Sequence, residues 1–114
     1  MQIIFIASEM DPYCKVGGLG DVVGTLPAEL SRKGISVKVI IPAYGSIETE
    51  KYDIDYEVDN FFVEIAGEKY ETKVSELSPE NGDHDVIFIG NREFFDRQNV
   101  YTDSLGNAYD DNFL

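Results

Sequence analysis

The order of apolar and polar residues predicts a βαβ unit in the first part of the chain. Residues 3–7 form a continuous apolar run, which is typical of a strand buried on both faces. A loop rich in glycine follows, and apolar residues at helical spacing then predict a helix over residues 21–33, closed by Gly34. Pro27 predicts either a kink in this helix or the start of a second one. Residues 35–41 are mostly β-branched and apolar and predict a second, parallel strand.

Farther along the chain, the apolar residues change to a period of two. Alternation over residues 61–65 and again over residues 70–74 predicts a β-hairpin with one wet face. The pair Gly67-Glu68 suits a two-residue turn with glycine first. Residues 86–89 predict a third buried strand, after which Asn91 can cap a short helix.

The distribution of charge narrows the possible partners. The 114 residues carry a net charge of −13, all of which lies after residue 47, because residues 1–47 contain four acidic and four basic side chains. We therefore expect no nucleic acid and no anionic membrane surface as a partner. With 43% hydrophobic residues, the chain is too apolar for a disordered acidic tail. The single cysteine, Cys14, and the lack of signal-peptide features predict a cytoplasmic location.

The candidate for chemistry lies between the first strand and the first helix, in the segment Lys15-Val16-Gly17-Gly18-Leu19-Gly20-Asp21-Val22. Ligands of open α/β sheets bind at such turns, where glycines admit the ligand and a helix N-terminus attracts anions. Lys15 adds a mobile positive charge for a phosphate oxygen. The dinucleotide pattern fails at its third glycine, and the P-loop pattern fails because the lysine precedes the glycines. A glycine turn that only allows tight packing remains the alternative.

Other side chains have simpler interpretations. His84 lies in a turn and is expected to be solvated, and Tyr13 can stack on a sugar or lie at the surface. Cys14 is expected to be an incidental loop residue rather than a thiol of lowered pKa. The acidic residues 48–59 lack EF-hand spacing and are expected to be solvated. The sequence contains no cluster with metal-ligand spacing, so we expect no metal.

The glycine segment and its flanks resemble the bacterial glycogen synthase and plant starch synthase family. That family carries Lys-x-Gly-Gly-Leu-x-Asp-Val directly after its first strand, as residues 15–22 do here. Its L-P-x-x-L block accounts for Pro27 within a helical stretch. The blocks that agree lie at residues 7–12 (A-S-E-x-x-P), 26–30 (L-P-x-x-L), 39–44 (V-x-x-P-x-Y), 91–97 and 109–112.

The resemblance implies a GT-B fold, in which two Rossmann-like domains face a cleft. The chain would be an α/β, Rossmann-like parallel sheet with an inserted β-hairpin, an incomplete N-terminal domain over residues 1–114 that lacks the C-terminal donor-binding domain. The implied reaction transfers glucose from ADP-glucose to the non-reducing end of an α-1,4-glucan acceptor, with retention of configuration and without a cofactor or metal. Cationic side chains and helix N-termini would meet the charge of the leaving diphosphate. The chain alone is expected to be inactive.

The site residues that the resemblance implies are all substrate-binding, and no catalytic residue is carried over. Lys15 would contact the phosphates of ADP-glucose, and the backbone at Gly17 and Gly18 would pack against the diphosphate and glucose. Glu9 would face the cleft on the acceptor side, with a solvated loop carboxylate as the alternative. Asp21 would take part in the same site, although a helix N-cap is the simpler role for it.

Two other classes of function compete with an enzyme fragment. One is a stand-alone module that binds a nucleotide sugar or a glucan without catalysis. The other is a glycogen-associated scaffold. The signature that contains Lys15 disfavours a scaffold, because a scaffold has no need of a residue that binds phosphate.

Overall fold

The computed structural model describes residues 1–78 and 84–91, apart from the side chains of residues 49 and 56. The helix predicted after Asn91 and the sequence block at residues 109–112 lie outside the described residues. The elements, in chain order, are β1 (Gln2–Ile6), α1 (Gly18–Arg32), β2 (Ser36–Pro42), a 3₁₀-helix (Thr49–Lys51), β3 (Asp55–Ile65), β4 (Glu68–Leu77) and β5 (Asp85–Gly90).

The five strands form one mixed sheet in the order β1-β2-β5-β4-β3. β1, β2 and β5 are parallel to one another, and α1 connects the first two, which confirms the predicted βαβ unit. β3 and β4 are antiparallel to each other, and β4 is antiparallel to β5. The hairpin of β3 and β4 therefore enters the chain between two parallel strands and widens the sheet at one side. The predicted parallel sheet with an inserted β-hairpin is confirmed.

The hydrophobic core lies where α1 meets the parallel strands. Val23 of α1 belongs to one buried cluster with Val39 of β2 and Val86 of β5. Alternate residues of β2 are buried, as expected for a strand with one fully covered face. Pro27 is buried inside a single helix, so the alternative of a second helix beginning there is wrong. This packing fixes α1 against the sheet and thereby fixes the loop that precedes it.

The prediction that the first strand is buried on both faces is wrong for the described residues. Ile4 and Ile6 are 54% and 80% exposed, whereas Ile3 and Phe5, which alternate with them along the strand, are half-buried. Two physical reasons account for this difference. β1 lies at the edge of the described sheet, and α1 covers one face of that sheet.

The hairpin turn lies one residue earlier than the sequence predicts. Ile65 pairs with Glu68, so the two turn residues are Ala66 and Gly67, with φ of 52° and 83°. Positive φ at both positions is the signature of a type I′ turn, whose twist matches that of the strands. The predicted solvent-exposed face of the hairpin is present. Phe62 lies on this face and is 66% exposed.

The approach of α1 to the preceding loop predicts the effect of a methyl group at Gly24. An alanine Cβ there would lie 2.5 Å from the backbone oxygen of Asp11. Although alanine favours helices by about 1 kcal/mol over glycine, we expect Gly24→Ala to lower the free energy of unfolding by about 1–3 kcal/mol, as overpacking does. Urea denaturation measures this difference.

Gly18→Ala is the matched control, because a Cβ at Gly18 of the same helix meets nothing within 4 Å. A Gly24→Ala chain as stable as the Gly18→Ala chain would show that the loop does not restrain α1.

Candidate functional site

The loop that connects β1 to α1 lies at the carboxyl ends of the parallel strands, and several hydrogen bonds hold it in place. Met10 and Cys14 exchange two backbone hydrogen bonds, of 2.8 and 2.9 Å, which close a short turn between them. The N–H of Asp11 donates to the carbonyl oxygen of Gly20 at 2.9 Å and joins the loop to the helix. The Tyr44 hydroxyl donates to the carbonyl oxygen of Ser8 at 2.7 Å. The candidate residues are therefore held on an ordered loop.

Glu9 is buried at the centre of this loop. It is 2% exposed, and its Oε1 atom accepts hydrogen bonds from the N–H groups of Gly17 at 3.0 Å and Gly20 at 2.7 Å. The alternative of a solvated loop carboxylate is therefore wrong. Buried carboxylates need donors for their charge, and here two backbone amides supply them. The predicted position of Glu9 on the acceptor side remains a prediction.

The helix begins earlier than the sequence predicts, and this changes the role of Asp21. α1 starts at Gly18 with Gly17 as its N-cap, and no side chain caps it from that position. The prediction that Asp21 is the N-cap is therefore wrong. Asp21 lies in the first turn, where its negative charge is favourable near the helix N-terminus.

Lys15 lies beside this first helical turn. Its Nζ atom is 2.8 Å from Oδ1 of Asp21, and both side chains are about half exposed. The hydrogen bond and charge of Asp21 raise the pKa of Lys15, so its ammonium is present throughout the neutral range and is lost only at strongly alkaline pH. An exposed pair of this kind contributes little to stability. The lysine is therefore available for another anion.

The two glycines predicted to meet a ligand are open, and the third glycine is not. A Cβ at Gly17 or Gly18 would meet nothing within 4 Å, and both residues are exposed. A Cβ at Gly20 would lie 3.1 Å from both Glu9 Oε1 and Lys15 Cγ. Gly20 is thus a site residue that the sequence analysis did not select, although it stands in the same glycine segment. The loop brings all five predicted site residues together.

The structure also bears on the roles predicted for three neighbouring side chains, those of Tyr13, Cys14 and His84. Burial raises the pKa of the Cys14 thiol, so a lowered pKa is excluded. Tyr13 makes edge contacts with Tyr52 and Phe88, and burial and Tyr52 raise its pKa to about 12. His84 is 6% exposed, so the prediction that it is solvated is wrong. It lies directly before β5, which begins at Asp85.

A cavity of about 540 Å³ lies beside α1 and is lined by residues 10–13 of the loop that precedes this helix, but not by the glycine loop, residues 15–20. Tyr13, Tyr52, His84 and Arg32 are among the residues that line it, and Lys15, Gly17 and Gly18 are not. The described residues contain no group of three or more His, Cys, Asp or Glu side chains that could hold a metal ion. No helix in this part of the chain is both long and apolar enough to cross a membrane.

Curated relatives and a family model match the chain over most of its length. The model of the starch synthase catalytic domain matches residues 2–114. Glycogen synthase of Finegoldia magna is 37% identical over 102 residues, which are 89% of this chain and 21% of the relative. Glycogen synthase of Hydrogenobaculum sp. is 37% identical over 114 residues, which are 100% of this chain and 22% of the relative.

A solved structure agrees with these relatives. The catalytic domain of starch synthase IV from Arabidopsis thaliana, bound to ADP and acarbose, is similar with a TM-score of 0.78 and 33% sequence identity. The match covers 90% of this chain and 21% of that chain. The chain thus spans about a fifth of the length of the proteins it matches.

The buried thiol predicts a slow reaction with disulfide reagents. The pKa of Cys14 lies above its ordinary value of 9.0 in the folded chain, so the thiolate at pH 8 is scarcer there than in the unfolded chain. We expect folded Cys14 to react at least about tenfold more slowly with an aromatic disulfide than the same thiol in urea. The same shift makes the free energy of unfolding depend on pH. The thiol of the unfolded chain ionises at a lower pH than that of the folded chain, so the free energy of unfolding decreases as the pH rises from the unfolded pKa through the folded pKa.

Absorbance of the released thiolate measures this rate, and the unfolded chain is the internal control because Cys14 is the single cysteine. Equal rates in the folded and unfolded chain would show that the loop does not bury this side chain.

Proposed function

This chain belongs to the family of starch synthase catalytic domains, and on that premise we propose that it is part of a glucosyltransferase of the glycogen and starch synthase type. The proposed reaction transfers glucose from ADP-glucose to the non-reducing end of an α-1,4-glucan, with retention of configuration. We assign the chain to the N-terminal domain of a GT-B enzyme in the cytoplasm. The nucleoside pocket would belong to a C-terminal domain outside this chain.

The observation that carries the proposal is the position of Lys15 beside an exposed helix N-terminus. The Nζ atom of Lys15 contacts Asp21 in the first turn of α1, and a Cβ at Gly17 or Gly18, where the helix begins, would meet nothing within 4 Å. A helix N-terminus and a lysine ammonium together suit a diphosphate. The solved relative binds ADP, which carries a diphosphate as the proposed donor ADP-glucose does.

The proposed role of this loop is to stabilise the leaving group. As the bond between the glucose and the diphosphate breaks, negative charge grows on the diphosphate oxygens. Groups that are already oriented toward that charge lower the barrier, because they need no reorganisation during the reaction. Lys15 would exchange its contact with Asp21 for the diphosphate, and Asp21 would hold the ammonium in place until the donor arrives.

The chain by itself should not catalyse the reaction. We expect the isolated 114-residue chain to incorporate no glucose from radiolabelled ADP-glucose into glycogen, and calorimetry to show weak or no binding of ADP-glucose, because half of the proposed cleft lies outside it. Measured incorporation would contradict the assignment of the catalytic groups to other parts of the enzyme. Tight binding that is lost in Lys15→Ala would favour the stand-alone binding module.

In the enzyme that carries this chain, Lys15 should affect the use of the donor. We expect Lys15→Ala to lower kcat/KM for ADP-glucose by about 10²–10³-fold, the usual effect of removing one stabilising group from a developing charge. Lys15→Arg should retain more activity because it keeps the positive charge. Initial rates at varied ADP-glucose measure both effects.

Lys33→Ala is the control, because Lys33 is an exposed lysine at the opposite end of the same helix. A similar loss in Lys33→Ala and Lys15→Ala would mean that overall charge, and not the position of Lys15, controls the reaction.

A further inference from the structure

We propose that Glu9 is a positioning residue, which caps α1 from a distant part of the chain and so sets the shape of the glycine loop. The inference rests on the proposed function, because the loop it shapes is the one that would meet the donor diphosphate. In this role Glu9 binds the start of α1 and does not contact the acceptor glucan.

The first N–H groups of a helix have no acceptor within the helix. In a capping box, the N-cap side chain accepts from the third helical residue, whose own side chain accepts from the N-cap N–H. In α1 these two positions are Gly17 and Gly20, and neither has a side chain. Oε1 of Glu9 accepts from both N–H groups, at 3.0 and 2.7 Å. One carboxylate therefore replaces both side chains of a capping box.

The loop around Glu9 holds this carboxylate in place. The residue before it, Ser8, accepts a hydrogen bond from the Tyr44 hydroxyl, and the residue after it, Met10, is bridged to Cys14. A Cβ at Gly20 would lie 3.1 Å from Glu9 Oε1, so the carboxylate fills the space that a side chain at this position would need. The geometry therefore favours a terminal oxygen at the reach of a glutamate side chain at position 9 and a residue without a side chain at position 20.

This arrangement has a consequence for ligand binding. A side chain at the N-cap would stand in front of the helix N-terminus, where a diphosphate would approach. Because Glu9 supplies the cap, Gly17 needs no side chain, and a Cβ at Gly17 or Gly18 would meet nothing within 4 Å. Glu9 thus satisfies the helix start and leaves the ligand side accessible.

Two substitutions separate the capping role from a role for the charge. Glu9→Gln removes the charge but keeps an oxygen at the same reach, whereas Glu9→Asp keeps the charge but is one methylene too short to reach both amides. In the enzyme that carries this chain, we expect Glu9→Asp to raise the KM for ADP-glucose by about tenfold, with the KM for glucan unchanged. Glu9→Gln should change both values by less than about threefold. Glu29→Gln, at an exposed position of α1, is the matched control.

Hydrogen exchange of the peptide over residues 15–22 provides a readout that does not depend on activity. We expect Glu9→Asp to accelerate exchange of the Gly17 and Gly20 amides by about tenfold, and Glu9→Gln to leave it close to the parent value. Unchanged exchange in Glu9→Asp would overturn the capping role. A Glu9→Gln variant that loses more activity than Glu9→Asp, with a raised KM for glucan, would overturn it in favour of contact with the acceptor. If the parent enzyme transfers no glucose, the proposed function fails, and the exchange rates still decide the capping role.

Discussion

The hydrogen bonds from two backbone amides to the buried carboxylate of Glu9 connect the end of β1 to the start of α1. A charge this deeply buried is tolerated only where donors surround it, and the N–H groups of Gly17 and Gly20 supply them. The helix start in turn needs an acceptor, because its own N-cap residue has no side chain. The two requirements satisfy each other, and the open position of the glycine loop depends on both.

The sheet gives this loop a rigid base. β1 and β2 are parallel, so the chain leaves β1 at the end of the sheet where ligands of open α/β folds bind. Val23 packs α1 into the core, and Gly24 allows the helix to approach Asp11 so closely that a methyl group would not fit. Close packing leaves few alternative positions for the loop. The site is thus positioned by the helix and the strands rather than by the loop alone.

Charge is divided unevenly along the chain, and the donor proposed above is an anion. The acidic surplus lies after residue 47, and the described hairpin carries exposed acids such as Glu64 and Glu71. Residues 15–22, which would meet the proposed diphosphate, are neutral overall, because Lys15 pairs with Asp21. A diphosphate at this segment would therefore meet less repulsion than the net charge of −13 suggests.

The sequence by itself determined the βαβ unit, the inserted hairpin and the place of the glycine loop. These depend on the period of apolar residues and on glycine positions, which are local properties of the chain. The tertiary structure decided the start of α1, the role of Asp21 and the burial of Glu9 and His84. The physical reason is distance along the chain. Glu9 lies eight and eleven residues before the amides that it caps, and no local pattern reveals an acceptor that only folding brings to the helix.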